Sequence, residues 1–270
     1  MVRSLWTAAS GMITQQTNID TISNNLANVN TTGYKKENAE FKSLLYQTIQ
    51  EQSYDSNGLP KPSGIQVGLG VRNSAITSQY TQGNLLETGN DLDFAIEGKG
   101  FFMVQTSDGT PAYTRNGSFQ MAIGVNGTTL STKEGYPVLD STGAPIVIDE
   151  IYNPANITSN ESGELSYPDE SNNDVPIGIR IGVAQFNNPG GLQKMANSLL
   201  METDASGMAR LEADDPTLQS SKIRQRYLEG SNVQAVDEIV NLIVAQRAYE
   251  MNSKIITATD EMLQQANNLR

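Results

Sequence analysis

Three carboxylates stand close together near the middle of the chain, at Asp91, Asp93 and Glu97. A glycoside hydrolase needs two such groups on either side of a sugar-binding cleft. Residues that follow one another along a predicted strand do not flank a cleft. We therefore expect solvated acids at the start of a hairpin, and a soluble carbohydrate-acting enzyme stays only as a remote alternative.

Gly64, Gly68 and Gly70 resemble part of a phosphate-binding loop, but neither GxGxxG nor GxxxxGK nor a helix start follows them. Glycines at bends of strands are the simpler interpretation. The chain has no Cys and no His, which excludes disulfides, zinc–thiolate sites and histidine-based acid–base pairs. The sequence predicts no catalytic, cofactor-binding or metal-binding residue, and therefore no enzyme.

The composition argues against several classes of partner. The net charge is −12, and most of the acidic excess lies in residues 140–215, so no basic patch is available for nucleic acid or anionic lipid. No window is apolar enough to span a membrane, and the N-terminus lacks the continuous apolar core of a secretory signal peptide. By these rules alone the protein would be placed in the cytoplasm.

The element that must organise the chain is a predicted helix over residues 1–34. Its apolar stripe follows alternating steps of three and four, which is the heptad seam of a helix packed on another helix. Few charges flank this seam, so the helix is suited to contacting protein on several sides. Trp6 lies off the seam and is predicted to be a packing anchor between subunits. The seam consists of Leu5, Ala8, Met12, Gln15, Ile19, Ile22, Leu26 and Val29.

A second long helix is predicted over residues 231–269. Ser231 and Gln234 form a capping box, and Asp237 and Glu238 suit the positive end of the helix dipole. The two terminal helices are predicted to pair, although ordinary amphipathic helices on a globular core remain an alternative. A single seam is only marginally stable, so we expect copies of the chain to complete it. The second seam consists of Val244, Ala248, Met251, Ile255, Ala258, Met262, Gln265 and Leu269.

The rest of the chain reads as an insert between these helices. A short helix is predicted over residues 38–49, with Phe41, Leu44, Leu45 and Ile49 on one face, and an extended linker over residues 50–64. From Ile65 the apolar period becomes two, which indicates short antiparallel strands in a β-sandwich or open barrel. The strands are predicted at residues 65–71, 94–96, 101–105, 112–115, 118–121, 128–132, 136–139, 146–148 and 177–186, with a short one near residue 165.

The predicted fold class is α+β: long N- and C-terminal helices pairing as a coiled coil, with an inserted antiparallel β-rich domain. The predicted division is a helical segment at residues 1–49, the linker at 50–64, a β-rich domain at 65–228 and the last helix at 229–270. Residues 187–228 are read as turns and polar chain around one apolar patch at residues 199–201.

Several motifs resemble the bacterial flagellar basal-body rod and hook family. The N-terminal signature is residues 23–36 (SNNLANVNTTGYKK), and its C-terminal counterpart includes residues 246–254 (QRAYEMNSK) and 259–263 (TDEML). The β domain of the family is matched by residues 98–104 (GKGFFMV) and 113–119 (YTRNGSF). The opening residues 3–6 and the run at 45–64 are most similar to members that build the distal part of the rod.

The resemblance implies a structural subunit of a rigid, hollow helical tube that transmits torque from motor to hook. It implies terminal helices on the inner wall, β domains outside, and unfolded export through the flagellar type III apparatus to the basal body. The implied partners are copies of the chain, other rod proteins, the hook protein, and ring or bushing proteins. It adds Asn25, Asn28 and Arg247 to the expected interface, and Tyr54, Pro60 and Pro62 as linker residues that bridge neighbouring subunits.

Two other readings remain open from the sequence. A hook or proximal-rod subunit of the same family is the nearest alternative, and the linker at residues 50–64 should discriminate it. A surface adhesin is more remote, and it would keep its function in the β domain alone.

Overall fold

A computed structural model of the chain describes residues 2–50, 64–124, 127–149, 152–153, 156–169 and 173–268. The predicted linker residues Tyr54, Pro60 and Pro62 lie outside the described residues, as does Leu269 at the end of the second seam.

The chain divides into two compact units. Unit 1 comprises Met1–Ala27, Glu37–Ser78 and Gln234–Arg270, and unit 2 comprises Asn28–Lys36 and Gln79–Val233. The predicted β domain at residues 65–228 began too early, because the strands up to Ser78 group with the helices.

Unit 1 contains two long helices, α1 (Val2–Ala27) and α2 (Ala235–Asn268), which pack against each other. They run antiparallel, since the Asn25 side chain bonds to Glu238 and Gly11 lies beside Asn252. A Cβ on Gly11 would lie 2.8 Å from Asn252 Nδ2, so the small residue permits close approach of the two helices. Two terminal helices around an antiparallel β-rich middle confirm the α+β class.

The predicted start of α2 is wrong in detail. Ser231 Oγ accepts a hydrogen bond from Val233 N at 3.3 Å, which is a local turn and not a capping box. The helix begins one residue after Gln234, whose carbonyl oxygen accepts from Glu238 N at 3.1 Å.

Strands complete unit 1, and they correct the predicted helix over residues 38–49. The segment forms two strands, since β1 pairs antiparallel with β4 and β2 with β3. A short run such as Phe41, Leu44 and Leu45 fits a helix and a strand equally well, so long-range pairing decided the outcome. The strands are β1 (Glu37–Ser43), β2 (Tyr46–Gln50), β3 (Ile65–Gly68) and β4 (Val71–Ser78).

Gly70 makes the bend between β3 and β4. Its φ of +116° is a conformation that side chains with a Cβ rarely adopt, and a Cβ there would overlap Ser10 Oγ on α1. This glycine is therefore a structural bend, as predicted, and not part of a phosphate loop.

Unit 2 is built from short antiparallel strands in several small sheets rather than in one sandwich or barrel. Its largest sheet has the order β16-β17-β8-β7-β15-β18, and smaller ones have the orders β11-β10-β9, β12-β13-β14, β19-β6 and β20-β5. The strands are β5 (Leu85–Glu87), β6 (Phe94–Glu97), β7 (Phe101–Gln105), β8 (Pro111–Thr114), β9 (Phe119–Gly124), β10 (Gly127–Thr132), β11 (Val147–Ile148), β12 (Thr158–Ser159), β13 (Glu164–Pro168), β14 (Asp174–Arg180), β15 (Val183–Gln185), β16 (Gln193–Lys194), β17 (Leu200–Met201), β18 (Arg210–Leu211), β19 (Lys222–Gln225) and β20 (Tyr227–Glu229).

The core of unit 2 lies on both faces of β7. Phe102 and Val104 belong to one buried apolar cluster, while Phe101 and Met103 belong to another. Alternate residues of a strand point to opposite faces, so this strand is covered on both sides. That is why its sequence is continuously apolar and was recognised correctly.

Three predictions for unit 2 are wrong. Residues 136–139 make only isolated bridges and no strand. The single strand expected over residues 177–186 is split into β14 and β15, which lie in different sheets. The break falls at Gly182, whose N–H donates to Leu139 O at 2.9 Å and where a Cβ would overlap Asp140 O. The polar chain expected before α2 instead contains β19 and β20.

Candidate subunit interface

The predicted stripe of α1 forms only part of the face that is turned away from solvent, because Thr14, Thr21 and Asn25 are buried beside it. Ala8 and Ile22 are buried, and the other helical members are half-buried. Val29 lies beyond the end of α1, in a turn that belongs to unit 2. The half-buried members are Leu5, Met12, Gln15, Ile19 and Leu26.

The Asn25 side chain forms hydrogen bonds to two other elements of unit 1. Its Nδ2 donates to Glu37 O at 2.8 Å and to Glu238 Oε2 at 3.1 Å, and its Oδ1 accepts from Glu37 N at 2.9 Å. It thus joins α1, β1 and α2 within unit 1. Asn25 and Ile22, which the sequence analysis expects at a subunit interface, are both buried within the single chain.

The face of α2 that packs within unit 1 carries small and polar side chains rather than large apolar ones. Glu238, Ala245 and Thr259 are buried on it, and Asn252 lies against Gly11. The Thr259 hydroxyl is satisfied locally, because it donates to Ile255 O at 2.7 Å. Small side chains and hydroxyls bonded to their own helix allow close packing with few apolar contacts.

The predicted apolar seam of α2 lies on a different face. Met251 is 60% exposed, and Val244, Ile255 and Met262 are also exposed, whereas Ala248 is half-buried. The prediction that these residues pair with α1 inside one chain is therefore wrong. The exposed apolar residues of α2, which we call the outer face, are Val236, Ile239, Val240, Ile243, Val244, Met251, Ile255 and Met262.

Other apolar side chains of unit 1 are also open to solvent. Trp6 and Ile13 are exposed on α1, and Leu45, Tyr46 and Ile65 are exposed on and beside β2 and β3. Ile65 is 53% exposed, so the described residues of one subunit cover it only in part. Isolated two-stranded hairpins are marginally stable in water, so this pair requires a further packing surface.

The remaining predicted interface residues are polar. Arg247 is exposed on α2 and pairs with Glu250 at 3.1 Å. Asn28 belongs to unit 2, where its Oδ1 accepts from Thr31 Oγ1 at 3.1 Å and stabilises the turn after α1.

The three candidate carboxylates do not form a catalytic pair. Asp93 is buried and accepts from Thr88 Oγ1 at 2.8 Å, while Asp91 accepts from Arg226 Nε at 2.6 Å and Glu97 from Arg224 Nε at 3.1 Å. The sequence predicted that all three carboxylates are solvated, and Asp93 differs from this prediction because it is buried. Each carboxylate is thus bound to a structural partner of its own.

A buried charge cluster in unit 2 was missed by the sequence analysis. Glu229 Oε1 accepts from Lys35 Nζ at 2.6 Å, and Oε2 accepts from Arg115 Nη1 at 3.0 Å. Side-chain exposures of 5% for Lys35, 3% for Arg115 and 0% for Glu229 show that all three are shielded from water. Burial lowers the pKa of the Lys35 amine although Glu229 acts to raise it, and burial likewise lowers the pKa of Arg115.

Backbone carbonyls complete this cluster. Lys35 Nζ also donates to Thr81 O at 2.7 Å, and Arg115 Nη2 donates to Gly98 O at 2.5 Å. The Arg115 guanidinium lies 5.2 Å from the centre of the Phe101 ring, which adds a cation–π contact. Two cations therefore share one carboxylate, and neutral oxygens solvate the excess positive charge.

The described part of the chain can be compared with the requirements of a metal site and of a membrane-spanning helix. Within it, no group of three or more acidic residues is placed to hold a metal ion. None of the described helices is long and apolar enough to cross a membrane.

Comparison with known proteins identifies the family. Models described as "Flagella basal body rod protein", "Flagellar hook protein FlgE/F/G D1 domain" and "Flagellar basal body rod FlgEFG protein C-terminal" match residues 5–35, 95–167 and 224–269. The flagellar basal-body rod protein FlgG of Agrobacterium fabrum is 43% identical over 264 residues, covering 97% of each chain. This chain belongs to the flagellar basal-body rod family. The rod family is structural and is not known to be enzymatic, so this member is a structural protein of the basal body.

Other rod-family relatives match the whole chain. FlgG of Borreliella burgdorferi is 43% identical and covers 100% of this chain and 99% of its own, and FlgG of Bacillus subtilis is 38% identical with 100% of both chains covered. The crystal structure of Helicobacter pylori flagellar hook protein FlgE2 aligns with a TM-score of 0.24 at 17% identity, covering 62% of this chain and 47% of that one. That structural likeness is too low to carry an argument.

Proposed function

We propose that this chain is the structural subunit of the distal rod of the bacterial flagellum and polymerises into a rigid, hollow helical tube. Full-length similarity to rod proteins named FlgG supports a rod subunit over a hook subunit. The single structural observation that carries polymerisation is the outer face of α2, which one subunit leaves in water.

An exposed apolar surface such as the outer face is unfavourable on an isolated helix pair in water, whereas neighbouring subunits of a helical polymer can bury it. Burying one large apolar side chain contributes about 1.5–3 kcal/mol. Met251, Ile255 and Met262 alone therefore offer a substantial gain when neighbouring copies cover them. Trp6 and Ile13 on α1 extend the apolar surface of unit 1 and serve as further anchors.

The remaining parts of the proposal rest on what membership of the rod family implies. Helices of adjacent subunits pack side by side as coiled-coil layers and form the inner wall, while the acidic, loop-rich unit 2 lies outside in water. The exposed β2–β3 pair and the linker at residues 50–64 bridge neighbouring subunits. The partners are other copies, adjoining rod proteins, the hook protein and the surrounding ring or bushing proteins. The chain reaches them after export in the unfolded state through the flagellar type III apparatus.

The interface is tested by placing a charge on the outer face. Met251→Asp should abolish rod assembly, because each subunit would have to bury a carboxylate between helices. Since Met251 is exposed in the single chain, the free energy of unfolding of the monomer should change by less than about 0.5 kcal/mol. Gln246→Asp is the matched control, because it adds the same charge at an exposed polar position of α2.

The measurement is electron microscopy of basal bodies from a strain that lacks the native gene and expresses each variant. The control should give complete rods, and Met251→Asp should give rods that stop short. Normal rods with Met251→Asp would exclude the outer face as the interface. A complete rod in the strain with no copy of the gene would instead overturn the assignment to the rod.

A further inference from the structure

Unit 2 contains three short segments that continue directly into unit 1. The chain passes from one unit to the other after Ala27, Lys36, Ser78 and Val233. The parts of unit 2 that adjoin these points are residues 28–36, 79–84 and 229–233, and we call them the junction segments. Any tension that reaches unit 2 along the chain must enter through them.

Backbone hydrogen bonds tie each junction segment to the other two. Gly33 N donates to Glu229 O, Gly230 N donates to Asn84 O, and Gln79 N donates to Lys36 O, each at 2.8 Å. Gly83 packs so closely on Gly230 that a Cβ there would overlap the Gly230 carbonyl oxygen. The three segments are therefore in direct contact with one another.

Two side chains of the third segment reinforce these bonds. Asn232 Oδ1 accepts from Lys36 N at 2.7 Å, and its Nδ2 donates to Gln79 O and Thr81 Oγ1, each at 2.9 Å. The Glu229 carboxylate accepts from Lys35 Nζ and also from Gly83 N at 2.9 Å. Each of these two side chains thus bonds to both other junction segments.

We propose that Glu229, at the end of β20, and Asn232 form a mechanical clamp, which carries tension across the junction segments and keeps it off the sheets formed by β6 to β19. The reason is the connectivity. From residue 30 to residue 234, two equally short paths run through the Gly33–Glu229 and Lys36–Asn232 contacts, whereas β5 to β19 lie in the long loop between residues 36 and 229. The sheets bear tension only after the clamp opens. This inference holds whether or not the chain builds a rod.

The test is single-molecule force spectroscopy on the full chain. The absence of native cysteine allows handles at Asn30→Cys and Gln234→Cys, two exposed positions that pull across the clamp. Glu229→Gln and, separately, Asn232→Ala should raise the rate of opening at constant force at least about tenfold, since each removes hydrogen bonds on the loaded path. Asn232→Ala leaves no buried charge unpaired, so it remains informative if Glu229→Gln folds poorly.

A second pair of handles separates a clamp from a general stabiliser. Asp108→Cys and Gln193→Cys lie at exposed positions on the largest sheet, away from the clamp path. With these handles, Asn232→Ala should change the opening rate less than about twofold. Glu161→Gln, which breaks an exposed pair with Lys222, should have no effect with either pair of handles. Equal acceleration in both pulling directions, or none across the clamp, would overturn the proposal.

Discussion

The composition of the buried charge cluster predicts that loss of its anion and loss of one of its cations have unequal effects on stability. Two cations, Lys35 and Arg115, share the carboxylate of Glu229. Glu229→Gln leaves both cations without their ion-pair partner, although Glu212 still acts electrostatically on Arg115, whereas Lys35→Met leaves the Arg115–Glu229 pair intact. The loss of the anion should therefore destabilise unit 2 far more than the loss of one cation.

The magnitudes follow from the contacts. Removing one partner of a buried ion pair costs about 3–5 kcal/mol because a charge stays buried and uncompensated. Lys35→Met removes one of two donors to the Thr81 carbonyl, because Asn232 Nδ2 also donates to it at 3.3 Å. The cost should therefore stay below the roughly 1–3 kcal/mol of an unsatisfied acceptor, and the substitution removes a charge whose burial is unfavourable. For a domain of roughly 150–250 residues, each kcal/mol lowers the melting temperature by about 2–4 °C, so Glu229→Gln should lower it by about 6–20 °C.

Differential scanning calorimetry of the full chain measures both effects, with hydrogen exchange in β7 used to assign the transition of unit 2. Glu161→Gln provides the control, because it removes a carboxylate that pairs with Lys222 in solvent. A shift for Lys35→Met as large as that for Glu229→Gln would refute the reasoning from charge balance. It would show that the amine is needed for its contacts alone.

Two further predictions concern pH and backbone conformation. Burial, aided by Glu202, raises the pKa of Tyr113 from 10.0 to about 12, so its contribution to stability is complete below pH 10 and is lost as the pH rises toward 12. In Tyr113→Phe, the folded fraction measured by circular dichroism should fall less steeply with pH over that range. A profile identical to that of the native sequence would contradict this prediction. Gly70→Ala should destabilise unit 1 by at least about 1 kcal/mol, because φ is +116° there and the methyl group meets Ser10 Oγ. Adding Ser10→Ala should recover part of this in chemical denaturation, and full recovery would show that φ contributes nothing.

The sequence predicted the two helices because long periodic runs leave little ambiguity. It misplaced the packing face of α2, because the most apolar stripe was taken to be the internal one. The true internal face of α2 uses Ala245 and Thr259, and Asn252 lies on it against Gly11 of α1; these small side chains permit close approach but give no strong apolar pattern. The resemblance likewise placed Asn25 at a subunit contact, although its amide is used inside the chain.

The errors in the β regions have a different origin. Residues 37–50 carry apolar spacings that suit a helix, and only the distant partners in β3 and β4 decide that they form strands. The Glu229 cluster had no local signal at all, because Lys35 and Arg115 lie 194 and 114 positions away from Glu229. Single charged residues are normally solvated, so only the three-dimensional structure reveals that these three lie together.

The two faces of α2 have different roles, one in packing within the molecule and the other in association between molecules. Substitutions along Ala245, Asn252 and Thr259 should alter how firmly one molecule holds its own shape, while those along Val244, Met251 and Met262 should alter only its solubility and its tendency to gather with others. A purified molecule should therefore be folded and yet prone to self-association, with a solubility limit to which this stripe of side chains contributes.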